Sequence, residues 1–137
     1  MNMALTPQMI AWNQRLEEDM KKKKEVIKEY IPESIADLYS ELKEQLLDLG
    51  ENIKIAQRKN YVSFKAKTNF VDIEPHPKYL KCQLNVKKGN LKDMKKITRD
   101  VSNIGHFGAG DYEVVINSVD EIPDFMVLVK QSYEINS

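Results

Sequence analysis

The sequence predicts an α+β domain: a mostly antiparallel sheet of about five strands, helices packed on one face, and an N-terminal helical arm. Three observations carry that prediction. Apolar residues recur with a period near 3.6 at both ends of the chain, the period changes to 2 between residues 52 and 88, and Gly, Pro or Asn punctuate the changes. The resulting order, two helices, four strands, a short helix, a strand and a last helix, suits layers of helix against one sheet face. The other face is then partly open to solvent.

Residues 7 to 31 read as a helix from the spacing of Met9, Trp12, Leu16, Met20, Ile27 and Ile31. Lys21 to Lys24 interrupt the stripe, but Glu17, Glu18 and Asp19 each precede a lysine by four residues, the favourable order for ion pairs on a solvated helix face. Trp12 and the methionines need a surface to pack on. The main domain or a second copy supplies it, so a homodimer through the N-terminal helix is one expectation. Pro32 closes this element and can open the next. Ile35, Leu38, Tyr39, Leu42, Leu46 and Leu49 form one face of a second helix over 33 to 49, with Gly50 where a left-handed C-cap residue belongs. The chain divides into an arm, 1–30, and an α+β domain, 31–137.

Four strands follow: Ile53 to Gln57, Tyr61 to Lys67, Phe70 to Glu74 and Leu80 to Lys87, broken at Lys59-Asn60, Thr68-Asn69 and Pro75-His76-Pro77. Alternation in the fourth places Cys82 on the buried face with Leu80, Leu84 and Val86, as a core thiol. After the turn Lys88-Gly89-Asn90, Met94, Ile97 and Val101 suit a short helix with Asp93 as its N-cap. Tyr112 to Asn117 makes a fifth strand. Ile122, Phe125, Met126, Val129 and Tyr133 give a closing amphipathic helix from about Asp120 to Tyr133.

At 137 residues, 42% hydrophobic and 31% charged, the chain suits a single folded core. No window approaches the ~20 apolar residues of a membrane span, and the first residues lack a signal-peptide core, so the expectation is a cytoplasmic protein without a membrane partner. One cysteine excludes an internal disulfide and a cysteine-based zinc cluster. Two histidines and scattered acids are too few to predict a metal site, and no cofactor can be named.

Formal charge is balanced, 21 basic against 21 acidic residues, but unevenly placed. Residues 51 to 90 hold nine Lys or Arg against three Asp or Glu, and residues 111 to 137 hold one against six. Tyr61, Ser63, Lys65 and Lys67 share one parity, as do Lys81, Gln83, Asn85 and Lys87, so an open sheet face would carry lysines, amides and a tyrosine. Such a face suits a phosphate backbone or another anion. Strand lysines also keep sheet edges unpaired.

A second candidate set is centred on Gly105-His106-Phe107-Gly108-Ala109-Gly110-Asp111, which holds three of the five glycines. The cluster marks a loop whose shape other residues would not hold. It leads into a strand, not out of one into a helix, so it is no dinucleotide or P-loop fingerprint. His106 suits a general base, an anion donor or a loop anchor. Asp72 and Glu74 leave the apolar side of their strand together, and Asn69, Arg99, Asp100 and Asp111 complete the set. Acids near a lysine resemble the Mg²⁺ sites of restriction-type nucleases, although Glu74 is followed by Pro75 and His76 and the pattern is poorly matched.

Lys67-Thr68-Asn69-Phe70-Val71-Asp72-Ile73-Glu74, Leu80 to Val86, and Arg99 through Asp111 together resemble a bacterial and archaeal family of unknown function whose members are often labelled "predicted transport protein". The resemblance runs from about Ile31 to Tyr133. It carries motif positions onto Asn69, Asp72, Glu74, Arg99, Asp100, His106, Gly108, Gly110 and Asp111, and implies a domain found alone or C-terminal to a restriction-endonuclease-like nuclease domain. Three functional expectations follow. The first is a non-catalytic module that recognises an anionic partner, nucleic acid or nucleotide, through the basic strands, Lys65 and Lys81 among them, and the glycine loop. The second is a metal-assisted hydrolase or nuclease-like enzyme using His106 and nearby carboxylates, and the third a dimerising interaction module.

Overall fold

In the computed structural model, which describes residues 29–137, the stripe Ile35, Leu38, Tyr39, Leu42 and Leu46 lies along the buried side of α1 (Ala36–Leu47). A 3-10 turn over Glu33–Ile35 leads into it behind Pro32. The arm predicted over 7 to 31 lies outside the described residues except for Glu29–Ile31, which are not helical. Six strands follow: β1 (Lys54–Gln57), β2 (Val62–Lys65), β3 (Asn69–Pro75), β4 (Leu80–Leu84), β5 (Arg99–Asp100) and β6 (Tyr112–Ile116). They form one antiparallel sheet in the order β1-β2-β3-β4-β6-β5. The chain then enters α2 (Ile122–Asn136) through a 3-10 turn over Val119–Glu121. Glu121 Oε1 starts this helix by accepting the N–H groups of Asn117 and Ser118 at 2.9 and 3.1 Å.

Register decides which side chains meet. Val62, Ile73 and Cys82 are cross-strand partners in turn, as are Phe64, Val71 and Leu84, and all six are buried. With Leu80, Val114 and Ile116 they join Leu42 and Leu46 of α1 and Phe125 and Val129 of α2 in one core. Each such side chain contributes about 1.5–3 kcal/mol by leaving water. The α+β prediction holds, with helices on one sheet face.

The C-terminus of α2 fastens this core. Asn136 Nδ2 donates to Asn85 O at 2.9 Å and to Ser132 O at 2.8 Å, while its Oδ1 accepts from Thr68 Oγ1 at 2.6 Å. Its backbone carbonyl takes the N–H groups of Lys67 and Thr68. One residue thus ties the β2–β3 hairpin to the chain leaving β4, and the helix continues past the predicted end at Tyr133.

Three other expectations are corrected. Gly50 is not left-handed; a Cβ there would collide with Tyr133 Oη, so close approach is what its lack of a side chain serves. The strand predicted over Leu80 to Lys87 ends at Leu84. No helix forms around Met94, Ile97 and Val101. Asp93 instead accepts from Ile97 N, Thr98 N and Thr98 Oγ1 at 3.1, 2.8 and 2.6 Å, and Lys96 adopts a φ of 53°, which interrupts helical winding. The chain then runs into β5, a strand beyond the five predicted, and the glycine segment follows a strand and not a helix.

Candidate functional site

On the face away from the helices the register builds a second row, and this one is polar. Ser63 faces Asp72, Asp72 faces Gln83, Gln83 faces Glu113, and Glu113 faces Arg99, across five strands. Ser63, Asp72, Gln83 and Glu113 are nevertheless buried. The glycine loop roofs them. Ala109 N donates to Asp72 Oδ2 at 3.1 Å, and Gln83 Nε2 donates to Gly110 O at 3.0 Å. At the far side of the sheet Phe107 packs on Tyr61, ring centroids 5.1 Å apart.

Two glycines permit this descent. Gly108 and Gly110 have φ of 67° and 95°, and a Cβ would collide with the Asp72 carboxyl at the first and with the backbone of Leu84 and Asn85 at the second. The fit is close but the polar row is under-satisfied. Gln83 Oε1 is buried without a hydrogen-bond partner, at a cost of about 1–3 kcal/mol, while Ser63 Oγ and Asp72 Oδ1 face each other across β2 and β3 without a bond of ordinary geometry. Burial raises the pKa of Asp72 above its ordinary 3.8; the neighbouring Ser63 hydroxyl, the Ala109 N–H and the Arg58 guanidinium pull downward without offsetting it.

The motif residues separate into groups. Asp72, Gly108 and Gly110 meet in the roofed row. Lys81 and Arg99 approach the two oxygens of Glu113, at 3.7 and 3.6 Å. Asp100 and Asp111 hold the turn after β4: Lys88 Nζ lies 3.3 Å from Asp100 Oδ2, and Lys88 N donates to Asp111 Oδ2 at 2.7 Å. The Ser102 hydroxyl and N–H keep the Asp100 carboxyl below the usual range, helped by Lys88. Glu74 pairs with His76, whose ring stacks on Tyr79 at 4.4 Å. His106 is exposed, and its Nδ1 donates to Phe107 O at 2.8 Å; no hydrogen bond joins it to Asp72, Glu74 or Asp111. Asn69 O accepts from Asn85 Nδ2 at 2.8 Å. Among the described residues no three His, Cys, Asp or Glu side chains are grouped to share a metal ion.

Lys65 belongs to a different feature, a cleft of about 630 Å³ along β1 whose polar lining is Glu29, Lys43, Lys54, Arg58, Lys65 and Asn69, beside apolar residues that include Ile53 and Ile55. Lys43 pairs with Glu29 at 2.7 Å. Lys54, Arg58 and Lys65 are exposed and have no ion-pair partner among the described residues. Lys54 and Lys65 are direct cross-strand partners, two like charges set opposite each other. Sequence reasoning singled out neither Lys54 nor Arg58, nor Glu113 of the row, and it placed Gln83 on an open face where the structure buries it. The signal present for Glu113 was parity: it is a polar residue between apolar neighbours in a strand.

The profile of a family described as a domain of unknown function, DUF5655, matches residues 23–136. The chain belongs to that family. The DUF5655 domain is 41% identical over 98 residues to an uncharacterized protein of Haemophilus influenzae, an overlap that takes in 72% of this chain and 32% of that protein. The chain therefore spans about a third of its relative's length. No solved structure matches it. No helix among the described residues is long and apolar enough to cross a membrane.

Proposed function

We propose that this DUF5655 domain is a non-catalytic recognition module that binds an anionic partner, nucleic acid or nucleotide, at the cleft along β1. The observation that carries the reading is the pairing of Lys54 with Lys65, with Arg58 lining the same cleft. Like charges directly opposite in a sheet destabilise it by roughly 0.2–1 kcal/mol, a cost that a bound phosphate reverses. Tyr61, whose carbonyl accepts from Arg58 N, packs on Phe107 at the hairpin end of β1 and β2 and adds aromatic surface there, of the kind single strands stack on. The nuclease association implied by the sequence resemblance fits a domain that holds a strand beside a cutting partner, and fits better than the transport label. The catalytic alternative draws no comparable support, since His106 is engaged by its own neighbour's carbonyl.

Fluorescence anisotropy with a labelled single-stranded oligonucleotide tests the proposal. Three phosphate contacts predict a slope of about −2 in log affinity against log salt. Lys54→Glu with Lys65→Glu should abolish binding, while Lys130→Glu, on an exposed position of α2, should not. Binding that ignores salt, or that survives the double reversal, overturns the reading.

A further inference from the structure

We propose that two adjoining apolar hollows between β6 and α2 are the docking site for this chain's own N-terminal segment. The stripe Met9, Trp12, Leu16 and Met20 lies along them, and Lys21 to Lys24 face their acidic rim. The inference is independent of the anion-binding reading, which concerns the opposite edge of the sheet.

The hollows exist because β5 is short. Its two residues pair with Tyr112 and Glu113, so Val114 to Ile116 of β6 have no strand on their outer side among the described residues. The N–H groups of Ile97 and Thr98, next in line to extend β5 along that edge, go to Asp93 instead. The chain diverges there, and a cavity of about 220 Å³ opens beside Val114 to Ile116 and Phe125. Ile97 and Asp124 are shared with a second cavity, of about 110 Å³, lined by Met94, Val127 and Leu128. Met94 and Val127 are 90% and 60% exposed and Val115 is 41% exposed, so large apolar side chains stand together in water. Such a cluster, unlike apolar residues scattered singly, marks an interaction surface.

Charge and reach select the occupant. The rim carries Asp93, Asp120, Glu121 and Asp124 against Lys92 and Lys95, whereas residues 1–28 hold six Lys or Arg against four Asp or Glu. The cleft along β1, where Glu29 lies, is itself basic and repels the lysine run that precedes Glu29. Tyr30 N donates to Gln57 Oε1 at 2.9 Å, and Gln57 stands in one cross-strand row with Val62, Ile73, Cys82 and Val114. Four strand spacings, roughly 19 Å, separate the ends of that row. Residues 21 to 28, extended, span about 27 Å, which lets the apolar stripe reach the hollows. α1, joined to Glu29 through Tyr39 and Lys43, also packs on the 3-10 turn that presents Asp120 and Glu121, so the lysines meet the acids first.

Trp12 is the chain's one tryptophan, so its fluorescence reads the docking directly. In the native full chain its emission should lie to the blue of that of the urea-unfolded chain, with acrylamide quenching several-fold weaker. Val127→Asp and Met94→Asp each put a charge into the hollows at a position already exposed. Circular dichroism should show both variants folded, while quenching of Trp12 rises several-fold toward the unfolded value. Ile104→Asp, the same change at an exposed position on the loop before the roof, should leave Trp12 shielded. Light scattering should show a monomer, and the shielding should persist on dilution. Trp12 quenched as freely in the native chain as in the unfolded one overturns the proposal. So does shielding that Val127→Asp and Met94→Asp leave intact, or that Ile104→Asp removes equally. Shielding lost on dilution assigns the hollows to the segment of a second copy and overturns docking within one chain.

Discussion

Asp72 is the residue on which the roofed row turns. Its folded pKa is raised by burial, so over the window from 3.8 upward the unfolded chain ionises while the folded one keeps its proton. Stability is therefore fully present below 3.8, falls as pH rises toward the folded value and stays lost above it, at about 1.4 kcal/mol per pKa unit. Asp93 and Asp100 slope the other way, because their carboxyls are held below the usual range. For Asp93 partial burial opposes that lowering, but the Thr98 hydroxyl and the N–H groups of Thr98, Ile97 and Lys96 prevail. Subtracting Asp72→Asn from wild type in urea titrations between about pH 4 and pH 7 isolates Asp72, and the difference should grow in favour of the variant as pH rises. A difference independent of pH would mean that Asp72 ionises as freely folded as unfolded. Strand parity was enough to send Asp72 off the apolar side. That it would be buried was not legible, because alternation assigns a face and says nothing about a loop from 37 residues downstream settling on it.

Among the elements, α2 carries more than its amphipathic face announces. The apolar spacing ended the helix at Tyr133, yet the turn beyond it delivers Asn136 to four partners on three segments. Asn136→Ala should cost about 2 kcal/mol, read as a lower urea midpoint at unchanged m, because several buried bonds are lost together. A shift under about 0.5 kcal/mol would show that water replaces the clasp. The helices and the five longer strands were readable since each follows a single period from end to end. Residues 91 to 101 were not. Met94, Ile97 and Val101 have helical spacing, but Met94 is 90% exposed, and the competition is won by Asp93, whose short side chain captures the N–H groups that a helix would have used.

At the scale of the whole molecule, neutrality conceals a basic corner. The regional charge count located excess lysine in the strands, but the pairing that sets Lys54 against Lys65 depends on register, which composition does not contain. Lys65→Gln should raise stability by roughly 0.5 kcal/mol at low ionic strength, and the gain should shrink as salt screens the pair. Thermal melts at low and high salt check it, and a variant less stable than wild type at low salt would count against repulsion there. The strand order has a further bearing on how the domain is assembled and how it changes over generations. β1 to β4 pair in sequence order through short turns, so this meander closes its contacts at low entropic cost. The excursion between β4 and β6, which bears every residue of the roof, makes contacts of longer sequence span, such as Ala109 to Asp72. Mutation can rewrite that excursion while the meander beneath it keeps its own strand pairing.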